Sequence, residues 1–188
     1  VPAGRLRPVL FGDLEAEFDR GRLGPAAFFR ACEERAGLPR LPDGLWESAW
    51  RDIFHPLPDA IAALARVDRK VRRVLVSNTN ELHWEGVLRV FDPRGLLDDV
   101  VLSFRVGAVK PEPAFWEAAL AAAGCAAGEC LYADDRAELV ASAAARGIPG
   151  FVVAGPGSFA DGLARCGLTG ELSPAAGNSG SLPNVRLS

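Results

Sequence analysis

Length, composition and charge exclude several classes of protein. The 188 residues are enough to bury one sizeable core, and a formal net charge of −3 offers no basic field that would attract nucleic acid. Hydrophobic residues make up 49% of the chain. No apolar run reaches the roughly 18 residues of a membrane span, so we expect no membrane partner.

The amino end and the cysteines predict the compartment. No secretory signal segment is recognisable in the first residues, which favours a cytoplasmic protein. The cysteines show no Cys-x-x-Cys spacing and no neighbouring histidine, so we expect buried free thiols rather than a thiolate metal site. They are Cys32, Cys125, Cys130 and Cys166.

The first 66 residues are predicted to form a helical segment without a convincing strand. Residues 1–12 are expected to be irregular, with one apolar cluster near their end. Apolar residues then recur at helical spacing, and the dipeptide Gly24-Pro25 separates the first two periodic stretches. We predict helices at 13–19, 25–36, 45–54 and 59–65.

After residue 66 the pattern changes to alternating strands and helices. Strands are predicted at 71–77, 100–104, 130–134 and 150–153, and helices at 81–90, 112–123, 136–146 and 158–165. Four β-α units in a row favour an α/β fold with a Rossmann-like parallel sheet and right-handed crossovers. Residues 67–168 would form this core. Residues 169–188, rich in Gly, Ser, Pro and Asn, are predicted to be a flexible tail.

Polar side chains follow three of the predicted strands at the points where those strands end. Ser77 ends the first strand, Lys110 follows the second, and Asp134 and Asp135 follow the third. Because the carboxyl ends of parallel strands meet at one edge of a sheet, we expect these groups to converge. A hydroxyl donor, a compact cation and hard carboxylate oxygens suited to Mg²⁺ together favour phosphoryl transfer.

Each of these residues also has an ordinary structural interpretation. Ser77 alone could be a helix N-cap, and Lys110 alone could be a solvated loop residue. The adjacent Asp134 and Asp135 are harder to explain in this way, because burying paired carboxylates without a cation is costly. The order of the three groups along the chain favours the functional interpretation.

Three motifs at these strand ends resemble the haloacid dehalogenase superfamily. They are Ser-Asn-Thr-Asn at 77–80, Lys-Pro-Glu-Pro at 110–113 and Asp-Asp-Arg-Ala-Glu at 134–138. Together with Glu-Phe-Asp-Arg-Gly-Arg-Leu at 17–23, they most resemble the sugar-phosphate phosphatases related to alpha-glucose-1-phosphatase. The likeness spans about residues 9–155.

The resemblance implies both an architecture and an activity. The helical segment would be a cap, and the protein would be a Mg²⁺-dependent phosphatase of small phosphorylated metabolites, acting through an aspartyl-phosphate. Ser77 and Lys110 would be catalytic, and Asn78 would bind the substrate phosphate or orient its loop. Asp134 and Asp135 would hold the metal.

The family's first motif has no counterpart in these residues. It is a strand ending in Asp-x-Asp-Gly-Thr, whose first Asp is the nucleophile. We reject the nearest candidate, Asp13, because Gly12 interrupts the apolar run, no Gly-Thr follows, and the cap-like stretch starts there. We expect that this sequence lacks the first few tens of residues of the family pattern, through a shortened sequence, a misplaced gene start or true degeneration, and that these 188 residues alone are inactive.

The expected loss of that strand has a structural consequence. In the resembled fold it lies between the Ser77 strand and the Asp134 strand, so without it two apolar strand edges lack a partner. We expect either marginal stability or the insertion of residues 9–11, or of another chain, into the gap.

Other functions stay open from the sequence alone. The main alternative is a catalytically inactive relative that acts as a binding or scaffold protein. A phosphoacceptor receiver domain also uses paired Asp, Ser or Thr, and Lys, but places the acidic pair near its start and the Lys last. A haloacid dehalogenase proper is also possible. Asp134 and Asp135 argue against it, because they suit a metal ion that such an enzyme does not need. The sequence identifies neither the substrate nor the oligomeric state.

Overall fold

The computed structural model describes residues 3–169, which form short parallel strands and helices. The helices are α1 (Ala3–Leu10), α2 (Asp13–Asp19), α3 (Pro25–Ala36), α4 (Leu45–Arg51), α5 (Pro58–Ala65), α6 (Glu81–Val90), α7 (Ser103–Val106), α8 (Pro113–Ala123), α9 (Ala137–Ala144) and α10 (Ser158–Arg165). The strands are β1 (Val74–Ser77), β2 (Asp99–Leu102), β3 (Tyr132–Asp134) and β4 (Gly150–Val152). The tail predicted at 169–188 lies outside the described residues except for Thr169, which forms an isolated antiparallel bridge with Val67.

The strands within residues 3–169 form two parallel pairs. In the first, β1 runs beside β2 with Ser77 opposite Leu102. In the second, β3 runs beside β4 with Asp134 opposite Val152. The predicted α/β class with parallel strands is confirmed. The described strands divide the expected sheet in two, because β1 and β3 each have a strand partner on one side only.

The amino end differs from the expectation of irregular structure. Residues Ala3–Leu10 form α1, and the backbone N–H of Phe11 continues its hydrogen bonding to the carbonyl of Arg7 at 2.9 Å. Leu10 is buried among the helices of this segment, and Val9 packs against the same cluster. The predicted insertion of residues 9–11 as a strand is therefore wrong for this structure. Burial against neighbouring helices outweighs the weak local preference of this short apolar run.

Aromatic packing holds the helical segment together. Phe18 of α2 stacks on Phe28 of α3 with ring centroids 4.6 Å apart, and Phe29 stacks on Trp46 at 5.5 Å. Such pairs add about 1 kcal/mol each to the free energy of burial. Leu82 of α6 belongs to the same buried cluster. The helical segment therefore shares its core with the helix that follows β1.

The predicted strand at 100–104 ends earlier than expected. β2 stops at Leu102, and Ser103 begins the short helix α7. The fully buried Ser103 hydroxyl accepts a hydrogen bond from the Thr79 N–H at 2.8 Å and donates one to the Thr79 carbonyl at 2.8 Å. This pairing with the loop after β1 takes the place of further strand hydrogen bonds.

The helices of residues 3–169 are all too short to cross a lipid bilayer as an apolar span.

Candidate active site

Lys110 connects the two strand pairs at their carboxyl ends. Its Nζ donates to the Val76 carbonyl of β1 at 3.1 Å, to the Tyr132 hydroxyl of β3 at 3.0 Å and to Asp134 Oδ2 at 2.7 Å. The Lys110 side chain is 5% exposed and that of Asp134 is 11% exposed. A lysine this deeply buried requires charged or polar partners, and here all three ammonium hydrogens have one.

Tyr132 and Asp134 form the other half of this network. The Tyr132 hydroxyl donates to Asp134 Oδ2, and Asp134 Oδ1 accepts from the Arg136 N–H at 2.9 Å. Burial, supported by the hydrogen bond and charge of Asp134, raises the pKa of Tyr132, so the phenol keeps its proton. Burial alone would raise the pKa of Asp134, but the hydrogen bonds from Lys110 and Tyr132 outweigh it and lower that pKa.

Tyr132 is a site residue that was not predicted from the sequence. A signal was available, because strand side chains two residues apart point to the same face, and Tyr132 is two residues before Asp134.

Asn78 fixes the backbone at Lys110. Its Oδ1 accepts from the Lys110 N–H at 2.6 Å, and its Nδ2 donates to the Lys110 carbonyl at 3.0 Å. These two bonds join the loop after β1 to the loop that carries the lysine. In this structure Asn78 therefore orients the Lys110 loop.

Ser77 lies at the end of β1 and is not the N-cap of the following helix. Asn80 caps α6, its side chain accepting from the His83 N–H at 3.0 Å. Ser77 is half-buried, and its hydroxyl makes one long contact of 3.4 Å with the Asn78 carbonyl. Because Ser77 directly follows Val76, it lies beside the carbonyl that binds the Lys110 ammonium.

The two predicted metal ligands have different surroundings. Asp134 is held by its hydrogen bonds, whereas Asp135 is exposed at the turn after β3. No group of three or more metal-ligating side chains is gathered within residues 3–169. Asp13, the rejected nucleophile candidate, is exposed at the start of α2, and its carboxylate binds Arg35 of α3 at 2.6 Å.

Residues 19–21, at and just after the end of α2, contact two loops and the short helix α7 beside the site. The Asp19 carboxylate accepts from Asn80 Nδ2 at 2.9 Å. The Arg20 guanidinium binds the Glu112 carboxylate, two residues after Lys110. Gly21 lies so close to the Phe104 carbonyl that a Cβ atom would be 2.4 Å from its oxygen. The helical segment is therefore in direct contact with the loops that carry the predicted site residues.

Burial shifts the pKa values of three titratable side chains on α2 and α6. Burial, with the charge of Asp19, raises the pKa of Glu15 to about 7. Burial also raises the pKa of Asp19, although the hydrogen bond from Asn80 opposes this. Burial lowers the pKa of His83 to about 4, so its ring is neutral at physiological pH. These three shifts favour the uncharged forms, in contrast to Asp134, whose lowered pKa favours the ionised form.

The sequence is similar to those of known hydrolases. Residues 9–147 match a family model described as haloacid dehalogenase-like hydrolase. Phosphatase MT3486 of Mycobacterium tuberculosis (strain CDC 1551 / Oshkosh) is 33% identical over 110 residues, which cover 57% of this chain and 51% of that protein. The chain thus spans about half the length of this curated relative.

Solved structures with a similar fold include a HAD family enzyme from Bacteroides thetaiotaomicron. One structure of it matches with a TM-score of 0.70 at 22% identity, covering 80% of this chain and 77% of the other. The wild-type enzyme in complex with magnesium and inorganic phosphate matches with a TM-score of 0.66 at 25% identity, covering 76% and 75%. The match to the family model extends over well more than half of the sequence, and the chain therefore belongs to the haloacid dehalogenase-like hydrolase family.

Proposed function

We propose that this chain carries the cation, hydroxyl and metal-ligand part of a Mg²⁺-dependent phosphatase of small phosphorylated metabolites. The observation that supports it most is the Lys110 ammonium, which contacts the end of β1 and Asp134 at the same time. Groups that are far apart in sequence thereby come together at one sheet edge, where α/β proteins bind their ligands. The magnesium and phosphate bound by the related Bacteroides enzyme, and the phosphatase from Mycobacterium, agree with this chemistry.

The donor atoms fit a hard divalent cation. An ionised carboxylate offers about four lone-pair positions. On Asp134, Oδ2 accepts from Lys110 and Tyr132, while Oδ1 accepts from one backbone N–H and keeps a position free. Asp135 beside it is exposed. Two carboxylates suit Mg²⁺, because this ion usually retains several waters.

Each predicted residue has a role that follows from its position. Lys110 would stabilise negative charge on the phosphoryl oxygens, and Ser77 would donate a hydrogen bond to one of them. Asn78 would keep the lysine loop in place through its two backbone bonds. Asp134 and Asp135 would hold the Mg²⁺, which when bound neutralises phosphate charge.

The nucleophile is the part that these contacts do not include. We infer that a further strand lies between β1 and β3, because Lys110 contacts both of these strands while neither pairs with the other within residues 3–169. The family resemblance implies that this strand ends in the nucleophilic aspartate. The Lys110 ammonium, which bridges β1 and β3, would then lie next to that aspartate. Asp13 is not this nucleophile, because its carboxylate binds Arg35 in the helical segment.

The test compares residues 1–188 with a version extended by the codons that precede Val1, assayed with p-nitrophenyl phosphate and Mg²⁺. The extended version is expected to hydrolyse the ester. Lys110→Met in that version should reduce kcat by about 100-fold or more, because a preorganised charge is lost. Lys70→Met, at an exposed position before β1, is the matched control and should have normal activity.

Three results would contradict this proposal. Activity of the extended Lys110→Met variant equal to that of its parent would exclude the role of the lysine. Activity of residues 1–188 that Asp13→Asn abolishes would restore Asp13 as the nucleophile. An extended version that binds phosphate and Mg²⁺ without turnover would favour the alternative of an inactive binding protein. The pairing of the exposed Asp13 with Arg35 agrees with that alternative, because it leaves residues 3–169 without Asp13 as a nucleophile. The cytoplasmic location stays a prediction.

A further inference from the structure

Two cysteines outside the site lie in direct contact. The Sγ atoms of Cys125 and Cys130 are 3.4 Å apart, in the segment that joins α8 to β3. The cysteine pattern predicts buried thiols, and this is correct only for Cys32. Cys125 and Cys166 are exposed, while Cys130 is half-buried. The contact between two accessible thiols has no part in the proposed phosphatase chemistry.

The backbone holds the two thiols together. A single 3₁₀ turn, Ala127–Glu129, separates them, and the Cys130 N–H donates to the Ala127 carbonyl at 3.2 Å. The Glu129 carboxylate accepts from the Ala126 N–H at 2.9 Å, which closes the other end of the turn. Cys130 also packs against the buried cluster around Trp116 and Tyr132. The thiol pair therefore rests on an ordered turn attached to the core.

We propose that Cys125 and Cys130 form a dithiol site that a low-molecular-weight disulfide oxidises to an intramolecular disulfide. The Cys125 thiolate attacks one sulfur of the external disulfide, forms a mixed disulfide and releases the first small thiol. The Cys130 thiolate then attacks the Cys125 sulfur and releases the second. Two protein thiols are oxidised and one external disulfide is reduced to two thiols, and the two protein protons go to the released thiolates.

The surroundings assign the order of the two steps. Cys125 is exposed and meets the oxidant first. Burial, with the hydrogen bond and charge of Cys125, raises the pKa of Cys130 to about 11, so few Cys130 thiolates are present to attack an external molecule. Its contact with Cys125 offsets this, because an intramolecular reaction between adjacent groups has a very high effective concentration.

The experiment treats the folded 188-residue chain with oxidised glutathione at mildly alkaline pH and measures its mass. Cleavage after Glu117, Glu129 and Glu138 separates the two cysteines into peptides 118–129 and 130–138. The expected result is that these two peptides are joined by a disulfide and carry no glutathione. The exposed Cys166 is the internal control and should hold a glutathione adduct.

Single substitutions complete the test. Cys125→Ser and Cys130→Ser each remove one partner, so the link between peptides 118–129 and 130–138 within one chain should be lost and the remaining thiol should stay reduced or keep its glutathione. Peptides that stay unlinked in the unsubstituted chain while Cys166 is fully modified would overturn the proposal. Separate glutathione adducts on Cys125 and Cys130 would overturn it as well, since the second step would then have failed. Both outcomes are independent of any phosphatase activity.

Discussion

The Arg20 guanidinium donates from two of its nitrogens to a single carboxylate oxygen of Glu112, joining residues 92 positions apart. The other oxygen of Glu112 accepts from the Val109 N–H at 3.3 Å. Arg20 is the C-cap residue that directly follows α2, and Glu112 lies two residues after Lys110. The position of the helical segment and the position of the lysine loop are therefore linked through one ion pair.

Glu112→Gln should weaken this link. The side chains are 18% and 36% exposed, so the charge is partly screened and we expect the free energy of unfolding to fall by about 1 kcal/mol. Raising the salt concentration should shrink the difference between the variant and the parent. Urea denaturation measures both effects. Asp43→Asn, which breaks the far more exposed pair with Arg40, is the control and should show no measurable change.

Lys110→Met should destabilise the chain in a pH-dependent way. Removing the cation leaves the buried Asp134 carboxylate without its charged partner, which costs about 3–5 kcal/mol at neutral pH. In the parent, the pKa of Asp134 is lowered, so its stabilising contribution is present above the unfolded pKa and disappears as the pH falls through the folded pKa. The difference between parent and variant should therefore shrink as the pH is lowered, because without Lys110 the burial of Asp134 favours its protonated form.

Unfolding of the Lys110→Met variant followed at several pH values checks this prediction, with Lys70→Met as the matched control. A difference that is equally large at pH 3 and pH 7 would mean that the loss comes from packing and not from the ion pair.

Glu15→Gln should stabilise the chain above neutral pH. The pKa of Glu15 is raised from 4.5 to about 7, so between these pH values the folded state binds more protons than the unfolded state, and stability falls as the pH rises. The glutamine side chain cannot ionise, so the variant does not lose this stability as the pH rises. Since Glu15 is only partly buried, we expect a gain on the order of 1–2 kcal/mol at pH 8 and little change at pH 4.

Thermal unfolding at both pH values measures the effect of Glu15→Gln. Glu34→Gln, at an exposed position on α3, controls for the simple loss of a negative charge. A Glu15→Gln variant that is destabilised to the same extent at both pH values would contradict the raised pKa.

A comparison of Gly21→Ala with Gly37→Ala separates the energetic cost of backbone strain from the cost of a steric clash. Both glycines have a positive φ, 69° and 63°, which an alanine adopts at a cost of about 1 kcal/mol. A Cβ at Gly37 meets open space, whereas a Cβ at Gly21 would lie 2.4 Å from the Phe104 carbonyl oxygen. We expect Gly21→Ala to cost about 2 kcal/mol more than Gly37→Ala in urea denaturation. Equal costs would mean that the helical segment moves away from α7 without penalty.

Local patterns predicted many of the elements and their boundaries. The bounds predicted for α2, α3, α6 and α10 coincide with those of the structure, because turn residues flank a clear helical period there. The strands at β1 and β3 were predicted a few residues too long. The helix α1 was missed, since its stability comes from Leu10 and Val9 packing onto other helices rather than from its own eight residues.

The sequence by itself determined the order of the chemical groups, a hydroxyl, a lysine and paired carboxylates, and the strand ends on which they lie. Such signals are local, because strand periodicity and turn residues can be recognised over a few positions. Only the tertiary structure decided that Tyr132 completes the Lys110–Asp134 network, that Arg20 binds Glu112 and that two thiols meet at 125 and 130. These contacts depend on side-chain directions and on segments distant in the chain, and neither leaves a periodic trace in the sequence.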